Sequence, residues 1–240
     1  SAATGGPRRA AARFVAGWLD EAGMLDRVAR VRCELFGSLA LTGRGHGTDK
    51  AVLCGLEGAQ PDTIDPDAIP AMLGRIRGDQ RIRLGGRHEI GFDEKQDLVF
   101  NKRQKLPFHS NGMRVAAFDA AGVLLAERDY YSVGGGFVVN ADEAASDRIV
   151  ADTTPLAYPF RSGDELLQLC REHGLTIAQL MLANEQAWRS PAEVRDGLLA
   201  IWRAMQGGVA RGVREGGTLP GGLHVRRRAP ELYAELPARP

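Results

Sequence analysis

Alternating apolar and polar positions predict several short β-strands in the first half of the chain. Val31, Cys33 and Leu35 fall on one face of a strand that ends at Phe36. From residue 81 to 139, short apolar runs are separated by Gly, Asn or Asp, and these runs are RIRL, HEIGF, DLVF, RVAAFD, VLLAERDYYS and FVV. This spacing is typical of a hairpin-rich antiparallel sheet.

Apolar residues at helical spacing predict helices on both sides of this β-rich region. Before it, the predicted helices are 7–25, 48–56 and 65–77. After residue 160, three capping boxes precede apolar stripes, at 162–165, 176–179 and 190–193. The third stripe is the best formed and contains Val194, Leu198, Ile201, Trp202, Met205 and Val209. A last helical piece is predicted over 226–236.

This order of elements predicts an α+β fold with two domains. Residues 1–143 are expected to form a sandwich of helices and mostly antiparallel sheet. Polar and small residues with two prolines predict a linker over 144–160. Residues 161–240 are expected to be all-helical, with stripes that need a further partner surface.

Composition narrows the possible partners. The 240 residues are 44% hydrophobic, and 31 basic side chains nearly balance 30 acidic ones, which gives no indication of binding to nucleic acid or to a membrane. No apolar run reaches the roughly 20 residues of a membrane span, so a cytoplasmic location is expected. Cys33, Cys54 and Cys170 form no C-x-x-C pair and are predicted to be buried, reduced thiols.

Two polar, glycine-bounded segments carry the candidate chemistry. The stretch 34–50, ELFGSLALTGRGHGTDK, is predicted to hold a glycine-rich loop between the strand that ends at Phe36 and the helix that begins at Thr48, and this loop contains His46, which can move protons near neutral pH. Residues 106–113, LPFHSNGM, place His109 beside Asn111. Each histidine could instead be an ordinary surface or core residue, and Asn-Gly could be a hairpin turn. The strand–loop–helix order resembles a phosphate-binding turn, but both nucleotide-binding glycine motifs are absent.

Six sequence blocks together resemble the bacterial single-chain, iron–sulfur-dependent L-serine dehydratase family. They are GSLALTGRGHGTDKA, IDPD, LPFHSNGMR, YYSVGGGFV, YPFRSGDELL and LPGGLHVRRRAPELY, in the expected order across almost the whole chain. The family's proteins are about twice this length. The resemblance implies a β domain similar to an allosteric substrate-binding domain, then a linker, then the beginning of an α domain that continues after Pro240.

The resemblance implies deamination of L-serine to pyruvate and ammonia with a [4Fe–4S] cluster. By motif, His46 and His109 become candidates for the base and for substrate orientation, with the choice between them open. Ser38, Thr42 and Asn111 become candidate contacts to the serine carboxylate or ammonium group. The expected partners are L-serine, a cluster-bearing helical half and a second copy of the chain in a homodimer.

Two departures from the family pattern qualify this expectation. Ala3 stands where the family has a histidine. The three cysteines do not match the cluster ligands, which are expected downstream of Pro240, so the chain alone is expected to hold no metal and to be inactive. The alternative is a non-catalytic amino-acid-binding or regulatory module.

Overall fold

The computed structural model describes residues 5–134, 137–142, 153–219 and 224–236. The chain divides into two units, Ser1–Ile149 and Val150–Pro240. The first unit combines helices with β-sheet, and the described elements of the second unit are helices. The predicted α+β class is confirmed. The predictions for Ala3 and for residues 144–152 fall outside the described residues.

The first unit contains five α-helices and seven strands among its described residues. The helices are α1 (Gly5–Arg13), α2 (Gly37–His46), α3 (Thr48–Leu56), α4 (Ile69–Asp79) and α5 (Glu94–Asp97). The strands are β1 (Arg30–Phe36), β2 (Arg81–Leu84), β3 (His88–Gly91), β4 (Leu98–Asn101), β5 (Asn111–Phe118), β6 (Leu124–Gly134) and β7 (Phe137–Asn140). All six apolar runs predicted between residues 81 and 139 form strands.

The main sheet is mixed but mostly antiparallel, as predicted. Its strand order is β4-β1-β5-β6-β7, with β1 and β4 parallel and the other neighbours antiparallel. Strands β2 and β3 form a separate hairpin. A tight turn joins β5 to β6, in which the Asp119 carboxylate accepts hydrogen bonds from Ala121 N and Val123 N, both at 2.9 Å.

One face of the sheet packs against the helices and forms the core. The alternation predicted for β1 is confirmed, since Val31, Cys33 and Leu35 are fully buried. Helices α1 and α3 cross closely because Gly55 has no side chain. A Cβ atom at Gly55 would lie 2.3 Å from the Arg8 carbonyl oxygen.

The first predicted helix, 7–25, is interrupted. Helix α1 ends at Arg13 and continues as a π-helical segment, Phe14–Asp20. At the end of this segment, Glu21 N donates to Ala16 O at 2.9 Å, five residues back. Phe14 and Leu19 are fully buried. The wider turn therefore carries core side chains, but ordinary helical periodicity does not distinguish it from an α-helical turn.

Two predicted helix starts are also shifted. Asp65 does not cap a helix, because its carboxylate accepts a hydrogen bond from Asp67 N within a turn, and α4 begins at Ile69. Thr48 is the first residue of α3, and the position before it is Gly47, with φ of 72°. A glycine here lets α2 end in the left-handed conformation and α3 begin at once.

The second unit contains four described helices. They are α6 (Gly163–His173), α7 (Ile177–Glu185), α8 (Pro191–Arg214) and α9 (Ala229–Ala234). Thr176 and Ser190 form full capping boxes, and Ser162 caps α6. The last helix is shorter than the predicted 226–236, because Arg226 pairs with Thr218 in an isolated β-bridge.

The second unit buries few apolar side chains. Among its described residues, Leu180 and Val194 are the buried hydrophobic ones. The stripe predicted on α8 is exposed beyond Val194, with exposed fractions from 52% at Trp202 to 67% at Val209. Such a long apolar face in contact with water is typical of an interaction surface.

Two of the three cysteines are buried, as predicted, and all three are free thiols. Cys33 and Cys54 lie in the core, but Cys170 is only partly buried, so the prediction of a buried thiol was wrong there. Within the described part of the chain, no helix combines the length and hydropathy needed to cross a membrane.

Candidate functional site

The glycine-rich stretch between Phe36 and Thr48 is mostly a helix, and the prediction of a loop there was wrong. Strand β1 ends at Phe36, and α2 begins directly after it. Gly43 is buried in this helix, where a Cβ atom would lie 3.1 Å from the Thr48 side chain and 3.3 Å from the Phe100 ring. This glycine therefore serves close packing, and the segment's polar composition reflects the opposite, exposed face of the helix.

That exposed face presents Ser38, Thr42 and His46 as one row, because residues four apart lie one above the other. Thr42 Oγ1 donates to Ser38 O at 2.9 Å, and His46 Nδ1 lies 2.9 Å from Thr42 O. A carbonyl oxygen only accepts hydrogen bonds, so His46 Nδ1 carries the hydrogen. The neutral imidazole then has its lone pair on Nε2.

The hydrogen bond at His109 Nδ1 runs in the opposite direction to the one at His46 Nδ1. The backbone N–H of Asn111 donates to His109 Nδ1 at 3.1 Å, so this nitrogen is the acceptor and neutral His109 carries its hydrogen on Nε2. The Asn111 side chain donates to Ser132 O at 3.2 Å. Asn111 is the first residue of β5, so the Asn-Gly pair is not a hairpin turn. The two candidate histidines thus present different groups at Nε2, a lone pair and an N–H.

Residues 102–110, which connect β4 to β5 and are called the His109 segment below, are hydrogen-bonded to the start of α2. Ser38 N donates to Ser110 O at 2.8 Å, and Gly37 N donates to Gln104 O at 2.9 Å. Gly37 has φ of 53°, and a Cβ atom there would lie 2.4 Å from Ser110 O. Both amides are already used, so neither is available to a phosphate, and the resemblance to a phosphate-binding turn does not extend to these two amides.

The structure brings Ser38 beside the His109 segment and places His46 further along the same helix. With a rise of about 1.5 Å per residue, the Cα atoms of Ser38 and His46 are about 12 Å apart along the axis. The imidazole of His46 leans toward the N-terminal end of the helix, where its Nδ1 meets Thr42 O.

Ser110 and Ser132 belong to the same region, but sequence reasoning did not select them. Their carbonyl oxygens accept from Ser38 N and from the Asn111 side chain. Ser132 also lies against the start of α1, since a Cβ atom at Gly6 would be 2.3 Å from Ser132 Oγ. Both act through the backbone, which no side-chain motif reports.

The described residues do not fit an iron–sulfur cluster. No group of three or more His, Cys, Asp or Glu side chains in the described part of the chain could hold a metal ion. A cluster requires thiolates, and burial, followed by the nearby Asp97 and Glu34 charges, raises the pKa of the Cys33 thiol. Burial is also the main cause that raises the pKa of Cys54. These two thiols are therefore core side chains.

Comparison with known proteins gives a consistent result along the chain. Residues 1–143 match the family described as serine dehydratase beta chain. An L-serine dehydratase of Streptomyces coelicolor is 54% identical over 236 residues, covering 98% of this chain and 52% of the relative. L-serine dehydratase 1 of Escherichia coli is 40% identical over 237 residues, covering 98% and 51%. An L-serine dehydratase of Mycobacterium tuberculosis is 40% identical over 238 residues, covering 99% and 51%. The chain spans about half the length of these relatives.

Proposed function

Because the chain belongs to the serine dehydratase beta chain family, we propose that it supplies the substrate-facing β domain of an enzyme that deaminates L-serine to pyruvate and ammonia. The relatives with which it aligns over nearly its whole length are named L-serine dehydratase. The observation that carries the proposal is that the two Nδ1 atoms have opposite partners, a carbonyl oxygen at His46 and a backbone N–H at His109, which assign opposite tautomers to the two rings. One ring offers a lone pair and the other an N–H, as a base and an orienting donor require.

His46 is the base in this proposal. Its Nε2 lone pair takes the α-proton of serine, forming an N–H bond as the Cα–H bond breaks. The electron pair becomes the Cα=Cβ double bond, and the β-hydroxyl group departs. The α-proton and the departing hydroxide together account for the water released. The resulting aminoacrylate tautomerises to an imine, which hydrolyses to pyruvate and ammonia.

The Thr42 carbonyl supports this role. It accepts the Nδ1 hydrogen of His46 in both the neutral and the protonated ring, so the ring keeps its orientation when Nε2 takes a proton. Helix α2 thereby holds the base through its own backbone. No other side chain is needed to set the tautomer.

His109 orients the substrate, with its Nε2–H directed at the serine carboxylate. Ser38 and Asn111 lie next to the same backbone contact, so they are the nearest further candidates for polar contacts. The side-chain Nδ2 group of Asn111 donates a hydrogen bond to Ser132 O, which leaves the side-chain Oδ1 to accept from the ammonium group. Thr42 Oγ1 donates to Ser38 O and keeps acceptor capacity toward substrate.

We further propose that the [4Fe–4S] cluster implied by the resemblance is bound by a helical half outside this chain. Its chemistry would be Lewis-acid assistance to loss of the hydroxyl group. Two observations support a missing partner: the chain spans about half the length of its relatives, and the apolar stripe of α8 is exposed. A homodimer remains part of this proposal.

The proposal is tested in the complete enzyme, meaning this chain joined to a cluster-bearing helical half. His46→Ala is expected to lower pyruvate formation by at least about 100-fold, the contribution typical of a general base. His109→Ala is expected to act mainly on serine affinity, through KM. The control is His88→Gln, because His88 is held by Val28 O at 2.7 Å, outside the proposed site.

Cluster absorption should be unchanged in all three variants. Near-normal turnover in His46→Ala would remove His46 from the mechanism. Serine binding without turnover in the complete enzyme would instead support an amino-acid-binding or regulatory module.

A further inference from the structure

Tyr131 lies beneath the His109 segment. It belongs to β6, is 3% exposed, and pairs in register with Gly112 of β5. Its ring meets the Phe108 ring edge-on, with centroids 5.3 Å apart and an interplanar angle of 63°. Burial raises the pKa of Tyr131, and a hydrogen bond donated by the Phe108 backbone N–H to the Tyr131 hydroxyl oxygen lowers it. Tyr131 therefore contacts the residue that directly precedes His109 through both its ring and its hydroxyl group.

Packing on one side of this contact and a hydrogen bond on the other also hold the His109 segment. Leu106, Phe36 and Tyr131 form a small buried cluster. Leu106 lies over Gly112, where a Cβ atom would be 2.9 Å from Leu106 Cδ1. At the other end, the Asn111 side chain is bonded to Ser132 O. Between these two attachments, the Tyr131 ring contacts the Phe108 ring.

We infer that Tyr131 is a positioning residue that keeps the His109 ring oriented toward the substrate. The inference rests on the proposed function, in which His109 Nε2–H binds the serine carboxylate. The hydrogen bond from Asn111 N to His109 Nδ1 closes over only two residues, so it depends on the backbone angles at His109 and Ser110. Holding Phe108 in place therefore fixes the backbone at the start of this hydrogen-bonded turn. Without the Tyr131 hydroxyl group, the Phe108 amide loses its buried partner and the segment gains freedom to rotate.

The first test uses the 240-residue chain and does not depend on activity. Long-range nitrogen–proton NMR spectra of the imidazole rings report which nitrogen carries the hydrogen. In the unmodified chain, His109 should be the Nε2–H tautomer and His46 the Nδ1–H tautomer. In Tyr131→Phe, the His109 signals should shift toward a mixture of tautomers, while those of His46 stay unchanged. Amide hydrogen exchange at Ser110 and Asn111 should rise about three- to tenfold, the effect of losing one hydrogen bond.

The control is Tyr233→Phe, since Tyr233 is 60% exposed in α9. If Tyr131→Phe does not fold, Phe108→Leu tests the ring contact instead, because the Phe108 ring is 50% exposed and can be removed at small cost. It should produce the same mixture of tautomers at His109. Unchanged His109 tautomer and amide exchange in a folded variant would overturn the inference.

The second test measures serine turnover in the complete enzyme as a double-mutant cycle. Tyr131→Phe should lower kcat/KM about three- to tenfold, and it should add no further loss when His109→Ala is already present. A purely structural role would give the same fold-loss in both backgrounds and would overturn the inference. If His109→Ala leaves turnover intact while Tyr131→Phe still changes the His109 tautomer, the proposed function fails at His109 and the positioning role stands.

Discussion

The carbonyl oxygen of Ser110 occupies the place where a side chain on Gly37 would begin, 2.4 Å from an ideal Cβ atom. Gly37 has φ of 53°, a left-handed conformation that glycine adopts without strain. Its neighbour Ser38 donates its amide hydrogen to the same Ser110 oxygen at 2.8 Å. The glycine therefore allows helix α2 to start directly against the segment that carries His109, and it links the two halves of the candidate site.

Gly37→Ala should separate these halves. The added methyl group meets Ser110 O and forces a strained φ, so the free energy of unfolding should fall by about 2–4 kcal/mol. Displacement of the His109 segment by even an ångström should lower serine turnover in the complete enzyme about 10- to 100-fold. Chemical denaturation of the chain and a pyruvate assay of the complete enzyme measure the two effects.

Gly74→Ala is the matched control, because Gly74 is exposed in α4 and a Cβ atom there meets nothing within 4 Å. Removing a helical glycine should raise stability by about 0.5–1 kcal/mol and leave turnover unchanged. Equal behaviour of the two variants would show that the Gly37–Ser110 contact has no part in the site.

The strands were predictable because their evidence is local. Alternation placed Val31, Cys33 and Leu35 on one buried face, and the turn residues between 81 and 139 separated the correct runs. The π-helical segment after Arg13 was not predicted, because ordinary helical periodicity fits both kinds of turn for a few residues. The start of α4 at Ile69 was missed because Asp65 and Pro66 form a convincing helix start that the chain uses only as a turn.

The candidate site was predicted by residue type but not by shape. Composition indicated a glycine loop around His46, whereas Gly43 is a buried packing position of a helix. The exposed face of that helix is rich in polar residues, as a loop is, so composition alone did not distinguish the two. The contact between Gly37 and Ser110 joins positions far apart in sequence, which no local pattern reports. The roles of His46 and His109 remain predictions.

The exposed stripe of α8 should matter for assembly and not for the stability of the chain alone. Ile201 is 60% exposed, so Ile201→Glu should change the free energy of unfolding by less than about 0.5 kcal/mol. Burial of this charge against the proposed cluster-bearing helical half should prevent association. Size-exclusion chromatography of the two halves, expressed as separate chains, measures this association. Arg203→Glu, outside the stripe, is the control and should leave association unchanged. A large loss of stability in Ile201→Glu alone would show instead that the stripe belongs to an internal core.

Stability should fall at high pH through the buried thiol of Cys33. Burial raises its pKa above the ordinary value of 9.0, with smaller contributions from Asp97 and Glu34. The unfolded chain then loses the proton more readily than the folded one. The stabilising contribution is complete below about pH 9 and declines above it, by up to about 1.4 kcal/mol per pH unit. Cys54, whose pKa burial also raises, adds to this slope.

Urea denaturation under reducing conditions from about pH 7.5 to 10.5 measures this decline. Cys33→Ala should be less stable than the unmodified chain at neutral pH, because a buried side chain is truncated, but its decline above pH 9 should be shallower. Cys170→Ala is the control, since Cys170 is only partly buried, and it should keep the full slope. The same slope in Cys33→Ala as in the unmodified chain would mean that the Cys33 thiol does not drive the alkaline loss of stability.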